Sequence, residues 1–210
     1  MVEFKKITLM KSFIFSFFLL SIWGSSQIID EDFKKIPDSL YFRDNLYKYI
    51  RPNHNYSYWK VVRKDDSLTT ELIYESTKSK NWNYLESFSP NNGFFEECHP
   101  DGCFTYIIAY QNKEVKYFTD GKELRNFIGF INNLPEALLI ARTYNLWFDD
   151  KNSLGGSYKI EKDFIYLYLA KFESCPISRE AFFVKINRKT GELEKESKGI
   201  YYKKNDCYTS

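Results

Sequence analysis

Apolar residues along most of this chain recur two apart, and only three stretches change to a helical spacing. The first stretch, residues 37–50, carries Leu40, Leu46, Tyr49 and Ile50 at rough helical intervals. Pro37 can sit in a first turn and Arg51-Pro52 closes the run, so the pattern predicts one helix there. Residues 56–63 and 68–75 are β-rich runs around Lys64-Asp65-Asp66-Ser67, a hairpin pattern. A further strand is expected at 82–88, ended by Ser89-Pro90-Asn91-Asn92-Gly93. Residues 104–110 and 115–118 flank Gln111-Asn112-Lys113 as another hairpin.

Asp120 with Glu123 three residues on has the spacing of a capping box, and Leu124, Phe127, Ile128 and Ile131 then mark one apolar helix face. Asn133 and Glu136 repeat that spacing, with Pro135 in the first turn. The following Ala137-Leu138-Leu139-Ile140-Ala141 is apolar all round, which predicts a deeply buried helix. After a polar loop at 149–156 come strands at 158–160 and 164–172. In the second of these both faces are apolar: Phe164, Tyr166, Tyr168, Ala170 and Phe172 on one, Ile165, Leu167 and Leu169 on the other. That predicts a central strand covered on each side. Strands at 181–186 and 193–202 flank Asn187-Arg188-Lys189-Thr190-Gly191, a turn whose glycine suits a bulged hairpin. Hairpins interrupted by two or three helices define an α+β fold with an antiparallel sheet, and residues 27–210 are expected to form a single domain.

Residues 1–26 have a different logic. Lys5, Lys6 and Lys11 precede an apolar run from Phe13 to Trp23, and Gly24-Ser25-Ser26 supplies small residues before Gln27. This is the order of a secretory signal peptide, and the run is short for a membrane span. Removing it takes Glu3 and the three lysines, leaving 27 basic and 27 acidic residues. A balanced charge argues against nucleic acid as a partner, and the remaining chain has no span-length apolar run. The expected location is secreted or periplasmic.

Four cysteines, Cys98, Cys103, Cys175 and Cys207, fit that compartment as disulfides. Cys98-His-Pro-Asp-Gly-Cys103 reads as a hairpin tip with a cysteine on each side; its C-x4-C spacing is not that of a zinc or thioredoxin-like site. For the other pair the argument is register. In a hairpin turning at residues 189–191, facing residues have numbers that add to about 380, and 175 with 207 gives 382, so Cys175 is expected opposite Cys207.

Residues 135–193 resemble the helix-plus-meander unit of PepSY domains, small exported modules found in protease propeptides. The likeness rests on Glu136-Ala137-Leu138-Leu139-Ile140-Ala141 ahead of three strands, and on Val184-Lys185-Ile186-Asn187-Arg188-Lys189-Thr190-Gly191-Glu192-Leu193 closing the last turn. The loop at 149–157 and the Cys175-Pro176 insertion depart from that pattern. The resemblance implies a protein-binding or protease-inhibitory module, with no binding residue to carry over.

The residues offer little chemistry of their own. His54 and His99 are the only imidazoles, and neither stands in a nucleophile or metal motif. Glu192, Glu194 and Glu196 alternate along one strand as a solvated face, and Asp149-Asp150 beside Asn152 lacks the order of a calcium loop. No catalytic, metal or cofactor set is therefore assigned. The aromatic content is high, 17 Tyr, 19 Phe and 4 Trp, and Tyr56, Tyr58, Trp59, Tyr201 and Tyr202 are candidates for a ligand platform. The expected function is an exported binding or interaction module for a protein, peptide or glycan, with inhibition or regulation of a protease as the role the resemblance implies. The alternatives are a small secreted hydrolase working through carboxylates, or an envelope structural protein.

Overall fold

The computed structural model describes residues 29–65, 69–77, 90–97 and 102–207. The leader at 1–26, the strand expected at 82–88 and Cys98 lie outside the described residues. The α+β expectation is met. One antiparallel sheet contains β2 (Tyr58–Asp65), β3 (Thr70–Glu75), β4 (Phe95–Glu97), β5 (Cys103–Gln111) and β6 (Glu114–Phe118). The order is β3-β2-β5-β4, with β6 also on β5. The other runs β1 (Lys34–Lys35), β7 (Gly156–Ile160), β8 (Phe164–Ser174), β9 (Ile177–Asn187), β10 (Leu193–Lys204). Between the two in sequence lie α1 (Gly121–Ile128) and α2 (Leu134–Arg142).

Each helix starts where its cap residues dictate. The Asp120 carboxylate accepts the Glu123 N–H at 2.8 Å, and the Asn133 side chain accepts the Glu136 N–H at 3.0 Å. Both glutamates reach back one residue further than a capping box requires, to the Thr119 and Asn132 N–H groups. Gly129 ends α1 at φ 70°, a conformation that glycine adopts without strain, while its N–H closes on the Arg125 carbonyl. All of Leu134–Ala141 is buried. One continuous core runs from Trp59, Val61, Ile107 and Ala109 of the first sheet, through Leu138 and Leu139, to Ile165, Leu167, Val184 and Ile186 of the second. Phe127 is the ring hub of that core, with Tyr56 and Trp59 at 5.2 Å and Phe118 at 4.9 Å.

Two expectations need correction. Residues 37–50 form not one helix but two 3-10 stretches, Asp38–Leu40 and Arg43–Tyr49. No side chain caps either start, and Phe42 is extended at φ −82°, ψ 110°, which resets the chain between them. Strand β8 is central in its sheet, as expected, but its faces are unequally covered: Ile165, Leu167 and Leu169 enter the core, while on the other face Ala170 is buried and Phe164, Tyr166 and Tyr168 are half-buried. Those outer rings shield one another. Tyr166 stacks on Phe183 at 5.9 Å, Phe33 lies 5.1 Å from Tyr168, and Lys185 sits 4.4 Å over Phe164. Aromatic alternation thus reflects self-packing under lysine stems rather than a second buried layer.

The β9–β10 ladder explains the disulfide. Near the turn, Leu193 faces Ile186; two bulges, at Ser197/Gly199 and Ile200/Tyr202, then shift the pairing until Lys204 faces Ile177. Facing numbers rise from 379 to 381 along the strand, which leaves Cys175 and Cys207 opposed, and they are bonded. The β9–β10 ladder ends at Ile177 opposite Lys204, and Cys175-Pro176 lies just beyond it. It is the two-residue tip between β8 and β9, where Ser174 faces Ile177. Cys103 is disulfide-bonded as well.

Glu136 is fully buried, accepts the Arg51 N–H at 2.8 Å and the Asn132 N–H at 2.5 Å, and so ties α2 to the segment before β2. Burial pushes its carboxyl above the ordinary 4.5, against the opposing pull of those N–H groups. The folded chain therefore holds this proton more tightly than the unfolded chain, so the Glu136 contribution to stability grows as pH falls from neutral toward 4.5. Denaturant melts of wild type and Glu136→Gln across that range should show the difference moving in favour of wild type as the pH drops. A difference that stays flat, or moves the other way, contradicts this account of the site.

Candidate functional site

Strand β8 is longer than its neighbour β7, whose ladder stops at Gly156 opposite Leu169. Trp147 takes over beyond that point, exchanging both backbone hydrogen bonds with Ala170 at 2.9 and 2.7 Å. This brings Trp147 to the same opening as Phe172, which is 43% exposed. Three other elements bring arginines to the same place. Trp59, Val61 and Arg63 share the inner face of β2; the first two enter the core and Arg63 reaches the rim. Arg142 is the last residue of α2, 5.8 Å over the Trp147 ring. Arg43 opens the second 3-10 stretch, its guanidinium 4.6 Å over Phe95.

The result is an open cleft of about 420 Å³, lined by Tyr41, Phe42, Arg43, Asp44, Arg63, Arg142, Trp147 and Phe172. Phe42 is 69% exposed and Tyr41 43%, so the rim is apolar while the wall is cationic. Asp44 is the one carboxylate among these lining residues; one Arg63 nitrogen, Nη2, donates to both its oxygens at 2.8 and 2.9 Å, while Nη1 donates to Glu71 at 3.2 Å. Burial alone would lower the Arg63 guanidinium; the Asp44 hydrogen bond and charge outweigh it and keep the arginine ionised. A second depression, of about 300 Å³, shares Arg142 and is otherwise lined by Gly93, Phe94, Phe95, Glu96, Thr143 and Asn145. A third, of about 430 Å³, lies by Pro37, Lys48 and Pro135 at the other end of α2.

The exposed rings extend past the cleft. Arg179 of β9 faces both Phe172 of β8 and Tyr202 of β10, and its guanidinium lies 5.4 and 5.2 Å from their rings. Beneath this stack the Asp149 carboxylate is buried and accepts from Arg179 at 2.7 Å and the Tyr201 hydroxyl at 2.9 Å. The Ile200/Tyr202 bulge is what turns Tyr201 toward Asp149. Burial, and then the Asp149 carboxylate, push the Tyr201 phenol up, so it stays protonated and serves as a donor. Gly156 leaves no room for a side chain here, since a Cβ would stand 2.1 Å from the Asp149 carbonyl oxygen.

The five aromatic candidates from the sequence are not brought together. Tyr58 and Trp59 are consecutive on β2 and point to opposite faces, each 5% exposed; Tyr58 bonds Glu75 and Trp59 lies in the main core. Tyr56 stacks on Phe127. Tyr201 and Tyr202 belong to the other sheet, on the Asp149–Arg179 cluster. Asp149, considered beside Asn152 as an oxygen ligand, has a guanidinium on its Oδ2 instead. Glu194 and Glu196 are exposed on β10, as a solvated face should be. The arginine cleft itself was not anticipated, because its lining comes from positions 41 to 172 and only the run Tyr41-Phe42-Arg43-Asp44 is contiguous.

Fold and site define an α+β protein of two antiparallel sheets about a buried helix, with an arginine-lined, aromatic-rimmed cleft. No protein family, curated protein or solved structure matches this chain. Among the described residues no helix is long and apolar enough to cross a membrane.

Proposed function

We propose that this chain is an exported binding module whose partner engages the arginine-lined cleft. The observation that carries this reading is the convergence of Arg43, Arg63 and Arg142 with Tyr41, Phe42, Trp147 and Phe172 on one opening of about 420 Å³. Arginine and aromatic side chains are the residue types that dominate binding hot spots. Exposed rings gathered at one place mark an interaction surface more strongly than scattered ones. Tyr41, Phe42 and Phe172 are among the exposed large hydrophobics, whereas Phe164, Tyr166 and Tyr168, earlier on the same face of β8 as Phe172, are half-buried by their own contacts. Export is supported by the pattern of residues 1–26 and by the disulfides, which belong to oxidising compartments. The sequence α2, β7, β8, β9 supports the PepSY-like reading of 135–193, and with it a protein partner that can include a protease. A carboxylate-based hydrolase is less well supported: such chemistry needs two carboxyl groups facing across a cleft, and Asp44, the carboxylate among the described lining residues, is held by Arg63.

The test is binding of a mixed peptide library and a mixed oligosaccharide library to wild type and to Phe42→Ala/Phe172→Ala. One library should yield a ligand whose affinity falls at least about 10-fold in the double variant, the loss expected of a hot spot. Binding that is indifferent to the double variant, or cleaved products in either mixture, would overturn the proposal.

A further inference from the structure

Independently of the cleft, to whose described lining β10 contributes nothing, we propose that two copies of this chain associate edge to edge through β10, antiparallel about a two-fold axis at Ile200. The edge itself is the first argument. In the order β1-β7-β8-β9-β10, β10 has a neighbouring strand on one side only among the described residues. The other strands that end these orders, β1, β3 and β4, have two, six and three residues, whereas β10 has twelve. Such an edge presents a row of backbone N–H and C=O groups to a further strand, and natural sheets usually keep it short. Along β10 every residue but Leu193, Lys198 and Tyr201 is exposed. Ile200 is 58% exposed, more than any other large hydrophobic of this sheet. Beside it Gly199 has open space where a Cβ would stand, which suits the close approach of another backbone.

Charge selects the occupant. Four lysines and two bulges in β10 discourage a flat, unrelated strand. A second copy has the same twist and, run antiparallel, complementary charges. Strand β9 carries no bulge, so its alternation sorts β10 by face. Glu196, Gly199, Tyr202 and Lys204 lie opposite Phe183, Ala181, Arg179 and Ile177, on one face. Lys195, Ser197, Ile200 and Lys203 lie opposite Val184, Phe182, Glu180 and Ser178, on the other. Setting Ile200 against Ile200 of the second copy keeps these faces matched. Glu196 then meets Lys204 of the second copy, twice over by symmetry, Ser197 meets Lys203 and Lys198 meets Tyr202. No like charges oppose one another from Lys195 to Asn205. Moving the axis to Gly199 also matches the faces, but sets Lys195 against Lys203 twice, and like charges directly opposite destabilise a strand pair. Within one chain Glu196 holds Lys198 at 2.6 Å and Lys204 holds Asp206. Glu196 and Lys204 are 68% and 59% exposed, so sharing or exchanging these surface pairs costs little.

The experiment is sedimentation equilibrium of the disulfide-bonded chain against concentration. An edge contact buries less than a standard interface, so the mass should climb from one chain to two in the roughly micromolar range. Glu196→Lys and Lys204→Glu, at exposed sites, should each weaken association about 10-fold, because each turns two attractions into two repulsions. The combined swap Glu196→Lys/Lys204→Glu should restore it. Amide exchange between Lys195 and Lys203 should slow as concentration rises, while that of β3 stays constant. A mass of one chain at every concentration up to about 1 mM overturns the proposal. So does a dimer that the combined swap fails to restore, or one that is lost in Phe42→Ala/Phe172→Ala instead, which would put the interface at the cleft. None of these results bears on the library test of the cleft itself.

Discussion

Phe127→Ala is expected to cost about 3–5 kcal/mol of folding stability, the range for deleting a buried aromatic ring. Phe127 is fully buried and contacts rings from three other segments: Tyr56, Trp59 of β2 and Phe118 of β6. These partners are aromatic, and Trp59 and Phe118 are held by β-ladders, so they cannot collapse fully into the space left behind, and the cavity adds to the lost burial. The Phe127 carbonyl, which accepts the Asn53 N–H at 2.7 Å, is kept in the variant, so the loss reports the ring alone. Equilibrium urea unfolding of the variant provides the measurement. A loss below about 1 kcal/mol would mean that α1 is not anchored by this ring.

The second large effect is expected from Cys175→Ser/Cys207→Ser, a double change that leaves no unpaired thiol. The bond closes a loop with a sequence separation of 32. Loop-closure entropy then predicts a loss of roughly 3–4 kcal/mol on removing it. Its position makes the effect local as well. It joins the β8–β9 tip to the residues just after β10, on the side where Phe172, Arg179 and Tyr202 stack. Amide exchange should therefore rise first at the Ile177–Arg179 end of β9 while the turn at 188–191 stays protected. Uniform loss of protection along both strands would contradict that local role, and non-reducing peptide mapping that joins Cys175 or Cys207 to another cysteine would contradict the bond itself.

What the sequence made legible was whatever is encoded over a few residues. Both helix starts follow from Asp120 and Asn133 with a glutamate three positions on, and the all-apolar 137–141 stretch gave its burial away. The β9–β10 register was legible to within two residues. The remaining drift came from bulges at Ser197/Gly199 and Ile200/Tyr202, where only Gly199, at φ 91°, marks a departure from extended chain. Two features were not legible. The alternating rings of β8 look alike whether covered by another layer or by one another, so periodicity alone predicted a second buried face that is in fact half-exposed. The 3-10 geometry of 38–49 also has no periodic signature distinct from a short helix.

The candidate site was the least legible part. Arg43, Arg63, Arg142, Trp147 and Phe172 each look like an ordinary surface or strand residue in its own neighbourhood. Only the β2 ladder, the last turn of α2 and the Trp147–Ala170 bridge bring them to one opening. Tyr58 and Trp59, which looked like a platform when read side by side, are separated by the alternation of the strand that carries them.

The most direct test of the cleft is the indole N–H resonance of Trp147, followed while a ligand from the peptide or oligosaccharide libraries is titrated in. Trp59, buried in the core at 5% exposure, is the internal reference. The account predicts a progressive, saturating shift at Trp147 with Trp59 unmoved. A ligand that leaves Trp147 unmoved and shifts the outer face of the second sheet at Tyr166 and Phe183 would contradict it.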